Sequence, residues 1–240
     1  MEVPAYRLLD SAYTAVEFVA QHGYPVVIKP VSESGSLGAD VVVHSATKYL
    51  TGHADSILGA IVCTEDTFAP VRGTAIRLGQ CASADDTYLG LRGLRTLGIR
   101  LRQHQRQALE LVYWLQEQAG VAGVVYPALP ADPGHGLWCR DFTGAAGLFG
   151  LELEPGFGKP AVDAMLGRLR LFGLGHSYGG YESLIVPADP VGHRLPGTWA
   201  GRGPLLRVHV GFEDLDDLKG DLAAAFRVLS AQQAPGPGTG

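Results

Sequence analysis

Residues 41–60, VVVHSATKYLTGHADSILGA, decide how this chain reads. The apolar run Val41 to Val43 is expected to form a short buried strand that ends at His44. Two hydroxyls follow, two residues apart, at Ser45 and Thr47, and Lys48 comes directly after them. On an extended backbone both hydroxyls would face one way and Lys48 the other. That set suits a phosphorylated carbonyl cofactor, with the hydroxyls on the phosphate and the amine forming a Schiff base with the carbonyl. A bare S-x-T-K is also what an ordinary surface turn looks like, so these four residues alone leave both readings open.

The rest of the chain narrows the classes. Its 240 residues are 46% hydrophobic and 18% charged, with 33 glycines and 15 prolines. That is enough for one large domain or two smaller ones with separate cores. The net charge of −5 offers no basic excess to neutralise phosphates, so nucleic acid is not an expected partner. No apolar stretch approaches the roughly 20 residues that span a bilayer, so no membrane partner is expected either. The opening MEVPAYRLLD lacks the basic segment and apolar core of a secretory signal, and the chain reads as soluble and cytoplasmic. Cys63, Cys81 and Cys139 do not make a disulfide framework and read as small hydrophobes or inert thiols.

Periodicity gives an α/β chain. Residues 11–22 carry Ala12, Ala15, Val16 and Val19 at helical spacing behind Ser11 as N-cap, and Gly23 closes that helix. Val26 to Ile28 and residues 56–62 read as strands. Residues 85–118 are helix-rich, with Leu94, Leu97, Leu101, Ala108, Leu111, Val112 and Leu115 as the apolar positions. Arg92, Arg95, Arg100, Arg102 and Arg106 lie in that stretch, as a basic face for an anion or as solvated positions; the negative net charge favours the latter. Further strands are expected at 121–126, 146–152 and 205–210, and helices at 160–169 and 214–230. Residues 127–136 read as a Pro/Gly/Asp loop, and the tail AQQAPGPGTG as disordered. His135 and Cys139 are four apart and could share a helix face, but a metal needs three or four ligands and none is expected here. No Walker loop or G-x-G-x-x-G dinucleotide fingerprint is present.

Six stretches carry a resemblance: HSATKYLTGHAD (44–55), LRGLRTLGIRLRQH (91–104), YPALP (126–130), RDFTGAAGLF (140–149), SYGGYESL (177–184) and LLRVHVGFEDLDDL (205–218). In order and spacing they resemble the C-terminal half of the Cys/Met-metabolism pyridoxal-phosphate (PLP) enzymes, the bacterial cystathionine β-lyase branch most of all, from about Gly38 to about Ser230. The resemblance implies the end of a fold type I, aspartate-aminotransferase-like large domain over 39–95. A small α/β C-terminal domain over 96–230 would follow, with 1–38 outside the match and 231–240 as tail.

It also implies roles. Lys48 would hold the cofactor and then remove the substrate α-proton, which a lysine can do when desolvation or a neighbouring cation lowers its pKa. Ser45 and Thr47 would be phosphate ligands. Arg207 sits on a strand where Leu206, Val208 and Val210 share one face, and Arg207 and His209 the other. Alone it is an exposed strand arginine; by resemblance its planar fork binds the substrate α-carboxylate. Ser177 would orient that carboxylate and the lysine, in a turn that Gly179 and Gly180 permit. Tyr178 stands where the β-lyase branch has tryptophan, and Glu182 is expected to be structural. The substrate would be a small sulfur-containing amino acid and the assembly a homo-oligomer.

Part of such a site is missing. The family's pyridine-nitrogen partner is an aspartate in a D-N-T stretch about two dozen residues before the lysine. Here that region reads GYPVVIKPVSE, with Glu33 the nearest acid. Residues 13–37 are instead similar to a short stretch of the ATP-grasp ligases, where the counterpart of Lys29 contacts nucleotide phosphates and a loop like Ser32–Gly35 follows. Three expectations result: a PLP-dependent C–S lyase or part of one, whose missing half a partner chain could supply; a truncated or fused non-catalytic assembly or interaction subunit that keeps the C-terminal fold; and an ATP-grasp fragment.

Overall fold

The computed structural model describes residues 40–189 and 203–232, together with the backbone of a strand at 26–30. The expected helix at 11–22, the Ser32–Gly35 loop and residues 233–240 of the tail lie outside the described residues. The chain divides between Gly98 and Ile99 into two compact units.

The first unit holds a three-stranded sheet of β1 (Val26–Pro30), β2 (Val41–Ser45) and β3 (Gly59–Cys63) in the order β1-β3-β2. β1 runs parallel to β3, Val26 against Gly59, and β2 runs antiparallel to it, Ser45 against Gly59. Helix α1 (Glu65–Arg77) packs on this sheet through Val71, which is buried with Ile61 and Cys63 against Val41, Val43 and Phe68. No helix was expected at α1. Its sequence hides it: Pro70 lies inside the helix and only Val71 and Ala75 are buried, so no apolar stripe develops.

Helix α2 (Ala84–Gln116) spans the unit boundary. Its first half is exposed at Leu91 and Leu94; its second half buries Ala108, Leu111, Val112 and Leu115 in the core of the second unit. Of its arginines, Arg92, Arg95, Arg102 and Arg106 are solvated, as the charge balance suggests, whereas Arg100 is buried.

The second unit is a five-stranded sheet in the order β4-β5-β8-β7-β6, with β4 (Val121–Val125), β5 (Leu148–Leu153), β6 (Gly173–Leu174), β7 (Leu184–Ala188) and β8 (Leu205–His209). All pairings are antiparallel except β6 with β7. One apolar core joins β5, β7 and β8 to the second half of α2, to α4 (Lys159–Leu166) and to α5 (Leu215–Ala231). A short helix α3 (His135–Asp141) begins at the end of the expected loop and buries no residue, which is why no periodicity announced it. No helix among the described residues is long and apolar enough to cross a membrane.

Candidate functional site

In the first unit the strand ends at Ser45, and the backbone does not stay extended through Lys48. The chain winds into turns instead: the Lys48 amide donates to the Ser45 carbonyl (3.2 Å), that of Thr51 to Ala46 (2.9 Å) and that of Gly52 to Lys48 (2.8 Å). Gly52 can close this turn because its φ is +76°, where a side chain would be strained. So Ser45 and Thr47 do not share a strand face; a turn presents Thr47 and Lys48.

The two hydroxyls differ. Ser45 Oγ is buried and has no hydrogen-bond partner among the described residues. Thr47 Oγ1 accepts from the Leu58 amide (2.8 Å) and donates to the Leu58 carbonyl (3.2 Å). That carbonyl also receives the Thr47 amide at 2.9 Å. Thr47 can therefore turn its proton towards an anion while Leu58 keeps both of its backbone bonds. Thr51, fully buried, donates its hydroxyl to the Thr47 carbonyl (2.9 Å) and locks the turn from inside.

The fit to a phosphate is thus carried by an orphaned buried hydroxyl, which costs free energy until something fills its bonding capacity. Thr51 and Leu58 were missed in the sequence. Leu58 contributes only backbone, which every residue has, whereas the hydroxyl of Thr51 three residues after Lys48 was a visible cue.

In the second unit the structure brings together Arg207, Ser177 and Tyr178. β8 buries Leu206 and Val208 in the core, so Arg207 faces away from it, as alternation requires. Its Nη1 donates to the His176 carbonyl (2.6 Å), and its guanidinium lies 5.3 Å from the Tyr178 ring centre, a cation–π contact. A guanidinium has five N–H donors, so this anchoring leaves the fork able to take a carboxylate.

The face of Arg207 is not open strand surface. His209, on the same face, is buried beneath residues 176–183, and its Nε2 receives the Gly179 amide at 3.1 Å. Below it His104 of α2 lies 5.1 Å away, ring centre to ring centre. Burial, first, and then the charges of His104 and Arg207 push the His209 imidazole down to about 3. Burial likewise lowers His104, whose Nδ1 donates to the Val210 carbonyl at 2.8 Å. Glu182 is exposed; the structural carboxylate belongs to Glu213, which accepts the Ser183 amide and hydroxyl, both at 2.7 Å. His209 could have been found as the second residue after Arg207 on one strand face.

Elsewhere, Cys139 Sγ and His135 Nε2 are 3.3 Å apart on α3, and no group of three metal-ligating side chains exists among the described residues.

Comparison with known proteins gives the family. The model of the family described as Cys/Met metabolism PLP-dependent enzyme matches residues 16–227. Cystathionine beta-lyase MetC of Escherichia coli (strain K12) is 44% identical over 192 residues, 79% of this chain and 49% of its own length. Cystathionine gamma-synthase of the same organism is 39% identical over 235 residues, 95% of this chain and 57% of its own. Among solved structures, cystathionine gamma synthase from Xanthomonas oryzae pv. oryzae in complex with cystathionine superposes with a TM-score of 0.71 at 39% identity, over 81% of this chain and 51% of that one.

The family match begins well before Gly38 and includes the segment read as ATP-grasp-like, for which nothing else speaks. β1, in that segment, is a strand of the same sheet as β2. The chain spans about half the length of the curated relatives it matches. On the matched residues and the shared fold type I architecture, this chain belongs to the Cys/Met-metabolism PLP-dependent enzyme family.

Proposed function

We propose that this chain is the C-terminal half of a PLP-dependent carbon–sulfur lyase of the cystathionine β-lyase type. The reaction would be β-elimination from cystathionine or a related S-substituted cysteine, with water consumed and a thiol, pyruvate and ammonia released. The observation that carries this reading is the buried Ser45 hydroxyl, three residues before Lys48, which has no hydrogen-bond partner among the described residues. Higher identity to the E. coli β-lyase than to the E. coli γ-synthase favours elimination over replacement.

Bound PLP would supply an electron sink for the negative charge left on the substrate Cα. Lys48 Nζ would be its point of covalent attachment, with Ser45 and Thr47 on the phosphate. Released from that attachment when the substrate amine takes its place, Lys48 Nζ would then take the proton from the substrate Cα. Arg207 would hold the α-carboxylate, with Ser177 beside it. The substrate is a small sulfur amino acid. The working assembly is a homo-oligomer or a pairing with a chain that brings the amino-terminal half.

The test is direct. Purified protein is mixed with PLP, the visible absorbance band is recorded, and borohydride reduction locates the label. The label is expected on Lys48, absent in Lys48→Ala, with L-cystathionine turnover as the next assay. A folded protein that gives no band would sink autonomous cofactor binding. It would favour the second reading, a non-catalytic assembly subunit, which one feature supports independently: β1 reads VVIKP and offers no acid for a pyridine nitrogen.

A further inference from the structure

The segment 176–183 is tied at several points to the end of β8 and the four residues after it. Arg207 Nη1 donates to the His176 carbonyl (2.6 Å) and the Phe212 amide to that of Tyr181 (2.8 Å). The Gly211 amide donates to Ser183 Oγ (2.9 Å), whose proton goes to Glu213. A Cβ on Gly211 would overlap the Tyr181 carbonyl, so the two stretches are in close apposition. Between these outer ties the Gly179 amide donates to His209 Nε2 (3.1 Å). Gly179 has φ +82°, a turn that aims its N–H into the protein, where His209 is 1% exposed.

We propose that His209 is a positioning residue of the substrate-carboxylate site: as a neutral acceptor beneath the turn it fixes Gly179, and through it the placement of Ser177 and Tyr178 beside Arg207. This rests on the substrate role proposed above for Ser177 and Arg207. The tautomer follows from the bond. To accept the Gly179 N–H, Nε2 must carry the lone pair, which puts the ring proton on Nδ1.

Protonation would remove that lone pair and turn Nε2 into a donor, for which the Gly180 carbonyl, 3.3 Å away, is the available acceptor. The surroundings oppose protonation. His104 from α2 and Arg207 from β8 itself both disfavour a cation at His209, while backbone bonds from Gly180 and Gly147 act the other way. Glu213, after β8, is occupied by Ser183. The hold therefore persists across neutral pH, and an acceptor of similar reach should replace it.

The experiment uses the full chain and two variants. His209→Leu fills the space without an acceptor; His209→Gln restores one through its amide oxygen. Amide hydrogen exchange by NMR reads the turn without any cofactor, and calorimetry with L-cystathionine reads the carboxylate site. In His209→Leu the Gly179 amide is expected to exchange at least tenfold faster and L-cystathionine to bind about tenfold more weakly. His209→Gln should recover both.

Unchanged Gly179 exchange in the Leu variant overturns the proposal. So does faster exchange with unchanged L-cystathionine affinity, provided Arg207→Ala weakens that affinity. If Arg207→Ala has no effect, or the wild-type chain binds no L-cystathionine, the substrate reading fails instead, and Gly179 exchange alone decides whether His209 holds the turn.

Discussion

Ser45 and Thr47 look equivalent in the motif, yet they have different structural duties. Thr47 is built into the turn: its hydroxyl is the acceptor for the Leu58 amide, and Leu58 is buried. Thr47→Val should therefore leave a buried N–H unsatisfied and cost about 1–3 kcal/mol, whereas Thr47→Ser should keep most of the stability. Urea unfolding of the two variants measures the difference, and equal midpoints would refute it. Ser45 Oγ is buried and bonds to nothing among the described residues, so Ser45→Ala removes an unsatisfied polar group and should stabilise the cofactor-free chain by up to about 1–3 kcal/mol. If it is a phosphate ligand, the same change should weaken PLP binding by roughly 1.5–3 kcal/mol, the worth of a hydrogen bond to a charged group. The motif made both hydroxyls visible. What it could not show is which one the fold consumes, because the partner is backbone eleven residues further on.

At the level of elements, the turn that carries Lys48 is seated against α2 at a single glycine. A Cβ on Gly93 would overlap the backbone carbonyls of Leu50 and Thr51, so the helix and the turn meet without a side chain between them. In an exposed helix Gly→Ala is stabilising by propensity; at Gly93 steric overlap with backbone should dominate. Gly93→Ala is expected to destabilise by about 1–3 kcal/mol and to shift the amide resonances of Leu50 and Thr51. A more stable variant with unmoved resonances would show the apposition to be wrong.

Elements with a strong stripe were legible. The second half of α2 and all of α5 bury apolar residues at helical spacing, and Asp214 caps α5 by accepting the amides of Asp216 (3.0 Å) and Asp217 (3.2 Å). α1 and α3 were not legible, since neither buries enough side chains to leave a period in the sequence. The turn past Ser45 was not legible, because a β-compatible hydroxyl run says nothing about Gly52 and Thr51, which close the turn behind it.

For the molecule as a whole, the two buried imidazoles make the second unit acid-sensitive in a defined window. Both His104 and His209 are held below their ordinary value, chiefly by burial, His209 to about 3. An unfolded histidine titrates near 6.5. As pH falls below that value the unfolded chain takes up protons that the folded chain refuses, so stability is complete above about 6.5 and declines towards 3. Each such histidine contributes a slope of up to about 1.4 kcal/mol per pH unit in that range.

Between pH 6.5 and 5 most carboxylates are still ionised, which isolates the histidine contribution. Urea midpoints followed by Trp114 fluorescence, whose ring lies 6.4 Å from Phe226 in the core, should fall steadily from pH 6.5 to 5. His209→Gln, which cannot titrate, should remove up to about 1.4 kcal/mol per pH unit of that slope. A wild-type midpoint that stays flat from pH 6.5 to 5 would mean that the pair is solvated in the native state. The same measurement bears on the carboxylate site proposed above: the folded unit keeps His209 neutral down to about 3, so His209 stays an acceptor for the Gly179 amide for as long as the unit remains folded.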